Sequence, residues 1–425
     1  MAPSVVTQQI DTASHSDSSG TAGRRPLAGK RVAMVTFSSY PFDPRPRRAI
    51  EALISQGMTV DLICLGSKNA PRRESLKGIE VLRVAVNKED RGGKFKYGYR
   101  YASFILFSSL IFALRSLTRG YDLVYVHNMP DILVLSGLIP QLLGSKVVLD
   151  MHDPMPELMT TIFNADAQSR SVKLLKRLEK WSLRRANLVV TVNIACKRIF
   201  SSRSCPAEKI AVVMNSPDGQ IFPFRAAVPQ APTAEFQNKP FVILYHGSLL
   251  ERNGLDVAVD ALAQVLATIP SAELRILGSK TSFLEQVLEA AQNKGVQKAI
   301  RYLGPKSHED VVKEIENCDL GVIPNRRNAF TDINTPTRIF EYLAVGKPVI
   351  APSTRGIQDY FEEGSLLFFE AGNAGELAQQ IQYVYSHPRE SLEVVRKGQQ
   401  VYLEHTWECE KQTLLDRVSE ILNTH

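Results

Sequence analysis

The sequence lacks a segment long enough to cross a bilayer: its longest strongly apolar run, Tyr101 to Leu114, stops at Arg115, short of the roughly 20 residues a spanning helix needs. No transmembrane helix is expected. Residues 1–28 are rich in Ser, Thr, Ala and Gly and have no apolar h-region, which argues against a secretory signal and for a disordered tail. Cysteine is scarce. The five present (Cys64, Cys196, Cys205, Cys318, Cys409) include no CxxC pair, and their odd number leaves one thiol unpaired, so reduced cysteines and a cytosolic compartment are expected. Also missing are HxxxH spacing, a DxD pair, GxGxxG, a Walker A loop and any DNA- or RNA-binding signature. The expectation is therefore no metal, no cofactor and no nucleic-acid partner.

What remains is an ordinary globular composition, 44% hydrophobic and 22% charged over 425 residues. That length exceeds one core and predicts two domains of roughly 200 residues. The net charge of +7 conceals an asymmetry: residues 1–225 hold 32 Lys and Arg against 18 Asp and Glu, whereas residues 226–425 hold 19 against 26. A basic first half suits an anionic partner, whether a membrane surface, a phosphorylated substrate or nucleic acid.

Short β-branched runs alternate with helical patterns throughout, the pattern of parallel α/β sheets. Strands are expected at residues 31–37, 59–64, 81–86, 123–127, 146–151, 188–192 and 210–214, then at 241–245, 274–277, 300–303, 319–323 and 348–351. Asp43 and Pro44 open a helix that ends before Gly57. Pro223, Pro229 and Pro232 mark a linker over 222–238. The expected plan is a tail (1–28), a first domain (29–221), the linker, a second domain (239–402) and a final segment (403–425). Ligands of such sheets bind at the carboxyl ends of the strands, so the connecting loops are the place to look for chemistry.

The loop Tyr245 to Gly254 leaves the first strand of the second domain and enters a helix with the apolar stripe Leu255, Ala258, Val259 and Leu262. Glycines allow close backbone approach and a helix N-terminus favours an anion, so this loop suits a phosphate, with Arg252 as a forked cation. An ordinary βα loop with a surface arginine reads the same way. In Asn334 to Pro348, Thr335 is the expected N-cap, Pro336 the first helical residue and Gly346 the stop. Glu341 then lies at the margin of a stripe of Ile339, Phe340, Leu343 and Ala344, beside Thr337, where a carboxylate can accept two hydrogen bonds from a vicinal diol. A solvated helical glutamate is the plain alternative.

His127 and His152 end two strands of the first domain and are expected to point into the cleft. Arg45, Arg47 and Arg48 follow strand one and suit an anionic acceptor, or a solvated basic turn. Lys94 to Tyr101 interleaves basic and aromatic residues ahead of the apolar run, and a second basic helix carries Lys173, Lys176, Arg177, Lys180, Arg184 and Arg185. Together they compose an interfacial anchor for an anionic membrane, or a core helix beside a solvated face.

These motifs resemble the retaining GT-B glycosyltransferases of family 4 over nearly everything from Lys30 to about Trp407. The likeness rests on Phe340 to Ala351, Tyr245 to Leu249 with Arg252-Asn253-Gly254, Met214 to Asp218, and Asp150 to Asp153, in the family's order. It implies two facing Rossmann-like domains with parallel sheets, a nucleotide sugar held mainly by the second, an acceptor held mainly by the first, and a final helix crossing back, for which Trp407 to Leu422 is suited. It assigns Glu341 to the donor ribose, His152 to the active-site histidine near the transferred sugar, and Asn215 to the asparagine ahead of the linker. The family's first motif glutamate falls on Ile333, with Asp332 or Asn334 as replacements, and its phosphate-loop arginine and lysine fall on Ser248 and Asn253. Arg252, helped by Arg338, is then the cation beside the diphosphate, with Gly247 in the same cradle.

The implied activity is transfer of a hexose-type sugar from a nucleotide-diphosphate sugar to a glycan; the basic clusters flanking the apolar run add the expectation of a polyprenyl-diphosphate-linked acceptor, extended at the inner face of the cytoplasmic membrane for a surface polysaccharide. Two rivals share the fold: a sugar-nucleotide epimerase, using Asp153, Glu157 or Asp332, and a non-catalytic membrane-associated subunit.

Overall fold

The computed structural model describes residues 27–67, 70–85, 94–163, 166–228 and 239–424, with the backbone alone for 94–97 and 163. The expected tail falls almost wholly outside the described residues, as does 229–238 of the linker.

The first domain holds β1 (Arg31–Ser39), β2 (Thr59–Leu65), β3 (Arg73–Leu76), β4 (Ile79–Val84), β5 (Leu123–His127), β6 (Lys146–Met151), β7 (Leu188–Thr191) and β8 (Ile210–Val212). Its helices are α1 (Pro44–Ser55), α2 (Lys94–Thr118), α3 (Leu138–Leu142), α4 (Met155–Phe163), α5 (Arg170–Arg185) and α6 (Ile194–Arg203). The sheet runs β3-β4-β2-β1-β5-β6-β7-β8, parallel except for β3. β3 escaped the sequence pattern because Arg-Glu-Ser-Leu has no apolar alternation; it is an exposed edge strand.

The second domain holds β9 (Phe241–His246), β10 (Ala272–Leu277), β11 (Ile300–Gly304), β12 (Leu320–Val322), β13 (Val349–Pro352) and β14 (Leu367–Phe369). Around them lie α7 (Leu255–Val265), α8 (Ser282–Asn293), α9 (His308–Glu316), α10 (Thr337–Ala344), α11 (Arg355–Gln358), α12 (Ala374–Ser386) and α13 (Pro388–Glu404). α14 (Trp407–Asn423) follows. The sheet order is β11-β10-β9-β12-β13-β14, all parallel.

Both faces of the first sheet are covered. Buried Ala49, Ile50 and Leu53 of α1 share one core with Leu414, Leu415 and Val418 of α14, so the last helix packs on the first domain. Phe104 and Phe112 of α2, Leu183 of α5 and Phe200 of α6 cover the other face.

Four expectations need correcting. Leu27 is buried in the first core, so the domain begins inside the expected tail. Phe222 and Ala227 are buried in the second domain, and Ala227 donates its N–H to Gln399 Oε1 at 2.9 Å, so the linker's first part is packed chain. α13 runs through Glu404, which moves the last boundary to the turn before Trp407. Finally, the apolar run extends into a longer helix than its composition suggested: Gly98–Thr118, 21 residues, is long and apolar enough to cross a membrane by length and composition.

Candidate active site

The carboxyl ends of the two sheets face one another, joined by direct contacts. Thr161 Oγ1 donates to Asn328 Oδ1 at 3.1 Å, Asn193 Nδ2 donates to the carbonyl of Ile333 at 2.8 Å, and Arg198 pairs with Asp359 at 2.7 Å. The backbone N–H of Ile194 donates to the hydroxyl of Tyr360 at 2.9 Å.

On the first domain's side, Asp43 caps α1 and turns Arg45 inward. The guanidinium donates through Nε and Nη2 to Asp150 Oδ1 at 2.9 and 2.6 Å, and through Nη1 to the Val213 carbonyl and Asn215 Oδ1. Arg45 is therefore a buried strut beneath the cleft. It is not the acceptor contact expected, because a buried guanidinium with four hydrogen bonds, at least one from each nitrogen, has no fork left for a phosphate. Arg47 stays with Glu51 and Asp218, and Arg48 donates to the Ser216 carbonyl while lying over the Trp407 ring.

Asp150 also accepts from the Tyr125 hydroxyl at 3.1 Å and lies 3.4 Å from His127 Nδ1. His127 is 0% exposed, so it does not reach the cleft as expected. Its Nδ1 instead meets His152 Nε2 at 3.0 Å. The result is a largely buried cluster in which Arg45 meets Asp150 and the single Nδ1 of His127 faces both Asp150 and His152. Burial by itself would raise the Asp150 carboxyl, but Arg45 and His127 hold it well below the usual carboxylate range. Burial depresses His152 well below an ordinary imidazole, so this ring stays neutral near pH 7. Asp150, His127 and His152 bring three ligand atoms within 4.8 Å of one another, yet Asp150 already carries a bidentate guanidinium and a phenol, a poor donor set for a cation.

His152 opens onto a 250 Å³ cavity with Thr36, Phe37, Ser38, Asp43, Asn128 and Tyr101 on its wall. Phe37 and Tyr101 set an aromatic corner, centroids 4.6 Å apart. Asn128 Oδ1 accepts the backbone N–H of His152 at 2.7 Å, while its Nδ2 donates to Asp131 and to the Asp153 carbonyl, which stitches the loops after β5 and β6 together. Hydroxyl, amide and imidazole groups beside aromatic faces suit a sugar. Of these residues the sequence had marked only His152 for the site: Asp43 read as a helix start, Tyr101 as part of a membrane anchor, and Thr36, Phe37 and Ser38 as the end of β1.

On the second domain's side, β9 delivers His246 and Gly247. Gly247 has φ +124°, and a side chain there would press on Arg338; Gly254 has φ +67°, and a Cβ would fall 1.9 Å from the Pro324 carbonyl. Gly247 is thus required by its backbone conformation, and Gly254 by both its conformation and the close approach of neighbouring backbone. Tyr245 and Asn253 hold the Ser248 carbonyl from two sides, at 2.8 Å each, so Asn253 serves the loop's shape and exposed Ser248 lies at its tip. Arg338 donates to the His246 carbonyl at 2.6 Å and lies over the Tyr245 ring, while Arg252 lies over Phe330.

α10 presents Glu341, whose Oε2 is 3.4 Å from His246 Nε2. Its carboxyl is pushed up to about 7 by burial, against the opposing pull of Arg338 and Arg48. Burial also lowers His246 to about 3, with Arg338 adding to it, so the pair is no ion pair at neutral pH. The helix starts differently from expectation: Pro336 occupies the cap position, and Thr335 donates its hydroxyl to the Gly356 carbonyl. Asp332 faces Arg327 and Arg355 at 3.1 and 3.6 Å, and Ile333 packs on the first domain's core, while Asn334 ahead of α10 and Thr337 at its first position are partly buried.

Residues 43–216 match the glycosyl transferase 4-like domain, and residues 230–401 match the glycosyl transferases group 1 family. The chain belongs to the group 1 glycosyltransferases. Its two parallel α/β domains are the GT-B arrangement expected from the motifs, and HepE of Anabaena, solved in complex with UDP-glucose, has the same fold: 16% identity, TM-score 0.66, covering 92% of this chain and 99% of that one. Among curated relatives, this glycosyltransferase is 28% identical over 211 residues to WcaL of Salmonella typhimurium, named for colanic acid biosynthesis, and 24% identical over 181 residues to a glycogen synthase of Mycobacterium tuberculosis. Those alignments take in 48% and 42% of this chain, and the chain spans only 50% and 41% of the two relatives' lengths.

Proposed function

We propose that this chain transfers a hexose from a nucleotide-diphosphate sugar to a glycan acceptor, with retention at the anomeric carbon, and that the acceptor is carried on a lipid diphosphate during assembly of a surface polysaccharide. The observation that carries the reading is that the two sides of the site lie within electrostatic reach of each other: Arg252 of the Gly247 loop acts on Asp153, the neighbour of His152 and its hydroxyl-lined cavity, and Arg48 of the first domain acts on Glu341. In this reading Glu341 accepts from the ribose diol, and Arg252 with Arg338 neutralises charge growing on the departing diphosphate. The anomeric carbon–oxygen bond to phosphate breaks as the acceptor oxygen bonds on the same face. The acceptor's proton passes to the leaving phosphate oxygen. Neutral His152 orients the transferred sugar. No divalent ion is assigned a step. A relative named for colanic acid biosynthesis and a fold neighbour that binds UDP-glucose both support the class of substrate. The site of action in this reading is the cytoplasmic face of a membrane, where the protein is peripheral.

Incubation with radiolabelled nucleotide sugars tests the proposal. Slow release of free sugar with one donor, accelerated by a lipid-linked glycan and giving the retained anomer, is the expected outcome. Epimerised nucleotide sugar, or neither binding nor turnover with any donor, would overturn it.

A further inference from the structure

α2 carries two apolar stripes on opposite sides. Phe104, Ser108 and Phe112 are fully buried on the sheet, while Leu106, Leu110 and Leu114 are 72%, 57% and 53% exposed. Residues two apart on a helix point about 200° away from each other, so the described residues leave the outer leucines largely uncovered. Leu117 extends the outer stripe. α3, packed beside α2, adds Leu142 and Leu143, 77% and 55% exposed. A contiguous apolar surface of this kind marks a contact site.

α5 completes the same side of the domain. Gln141, at the end of α3, donates to the Arg185 carbonyl at 2.9 Å, which fixes the two helices side by side. α5 exposes Lys173, Arg177, Lys180, Arg184 and Arg185. The sole carboxylate on α2, α3 and α5 is Glu179, fully buried and paired with Arg203. The outward charge on these helices is therefore entirely positive.

We infer that the α2–α3–α5 face docks on an anionic lipid leaflet, with the leucines entering the acyl boundary and the α5 cations among the headgroups. The inference rests on the lipid-linked acceptor reading above and deepens it. α2 lies on the membrane and does not span it. Spanning would strip Phe104 and Phe112 from the sheet, separate the Ser108 and Ser136 hydroxyls at 2.7 Å, and leave Asp61 without Arg115 at 2.9 Å. A second copy of the chain would set like charges against each other. Arg100 and Tyr101, near the start of α2, line the cavity beneath His152, so docking brings the cavity's mouth to the lipid surface.

Co-sedimentation of the full chain with phosphatidylcholine vesicles, with and without phosphatidylglycerol, tests this. Binding is expected only with phosphatidylglycerol and should weaken with salt. Changing Lys173, Arg177 and Lys180 to Gln should weaken it roughly a hundredfold, from about 1 kcal/mol per cation. Changing Leu106, Leu110 and Leu142 to Gln should abolish it while leaving circular dichroism and nucleotide affinity unchanged. Equal binding to neutral vesicles, no binding at low salt, or a dimer in sedimentation that the leucine variant dissolves would overturn the docking. Nucleotide-sugar hydrolysis by the same samples without vesicles separates this from the transferase reading: hydrolysis without vesicle binding refutes docking alone, and vesicle binding without any nucleotide-sugar turnover refutes the transferase alone.

Discussion

Asn193, 1% exposed in the first domain, holds the carbonyl of Ile333 from the second domain, and the Ile333 side chain seats against the first domain's core. The same asparagine caps α6 through Cys196 N at 2.8 Å and reaches Thr335 Oγ1 at 3.3 Å. Ile333 is the position onto which the family's first glutamate falls. Here it is a fastening between domains, which gives a physical reason for an apolar residue in a polar cleft.

Asn193→Ala should destabilise the protein by about 1–2 kcal/mol through the lost cap alone. It should also loosen the fastening, so limited proteolysis within 328–335 should accelerate. Thermal unfolding and proteolysis rates check this. An unchanged rate at that loop would mean that the other contacts hold the domains unaided.

Glu341 makes donor binding depend on pH. Its folded carboxyl, at about 7, lies above its ordinary value, so its contribution to apo stability is full below the ordinary carboxylate range and is lost as pH rises through 7. A diol donates to the ionised form, so nucleoside affinity should run the other way. It should rise up to about tenfold per pH unit below 7 and level off above it. Titration calorimetry from pH 5.5 to 8.5 should show the rise in the wild type and a flat, weaker profile in Glu341→Gln. Coincident profiles would remove the ribose assignment.

His127→Gln tests the contact with His152. Glutamine keeps a polar partner but does not place one ring nitrogen against both Asp150 and His152, so turnover should fall about ten- to a hundredfold with little change in donor affinity. The pH–rate profile should also shift its acid limb. Loss of stability without a shifted profile would mark His127 as a packing residue.

Arg252→Ala should reduce turnover more than nucleoside affinity, since charge on the leaving phosphate grows only in the transition state. Activity should persist in EDTA. Unchanged turnover would move the cationic role to Arg338, and loss on chelation with recovery in Mg²⁺ would refute the metal-free assignment.

Twelve strands of the two domains were legible and the edge strands β3 and β14 were not, because parallel strands buried on both faces are runs of Val, Ile and Leu, and the loops after them carry glycines whose φ or close contacts admit little else. Gly247, Glu341 and His152 were visible for that reason: each sits at a strand end or a sharply bounded helix. Arg45 and His127 were misjudged by the same logic, since a basic or polar residue at a strand end or in a βα loop reads as facing the ligand, and whether it faces out or in depends on a partner more than a hundred residues away for Arg45 and Asp150.

The sequence by itself determined two parallel α/β domains, their motifs and an excess of positive charge in the first. Local patterning is enough for these, because period, glycine conformation and charge are properties of short segments. Only the tertiary structure decided that Arg45 is spent on Asp150, that His127 stands behind His152, and that α2 turns one apolar face to the sheet and the other to solvent. Those outcomes depend on which surfaces meet when the chain closes, and an apolar stripe looks the same in sequence whether a sheet, a membrane or nothing covers it.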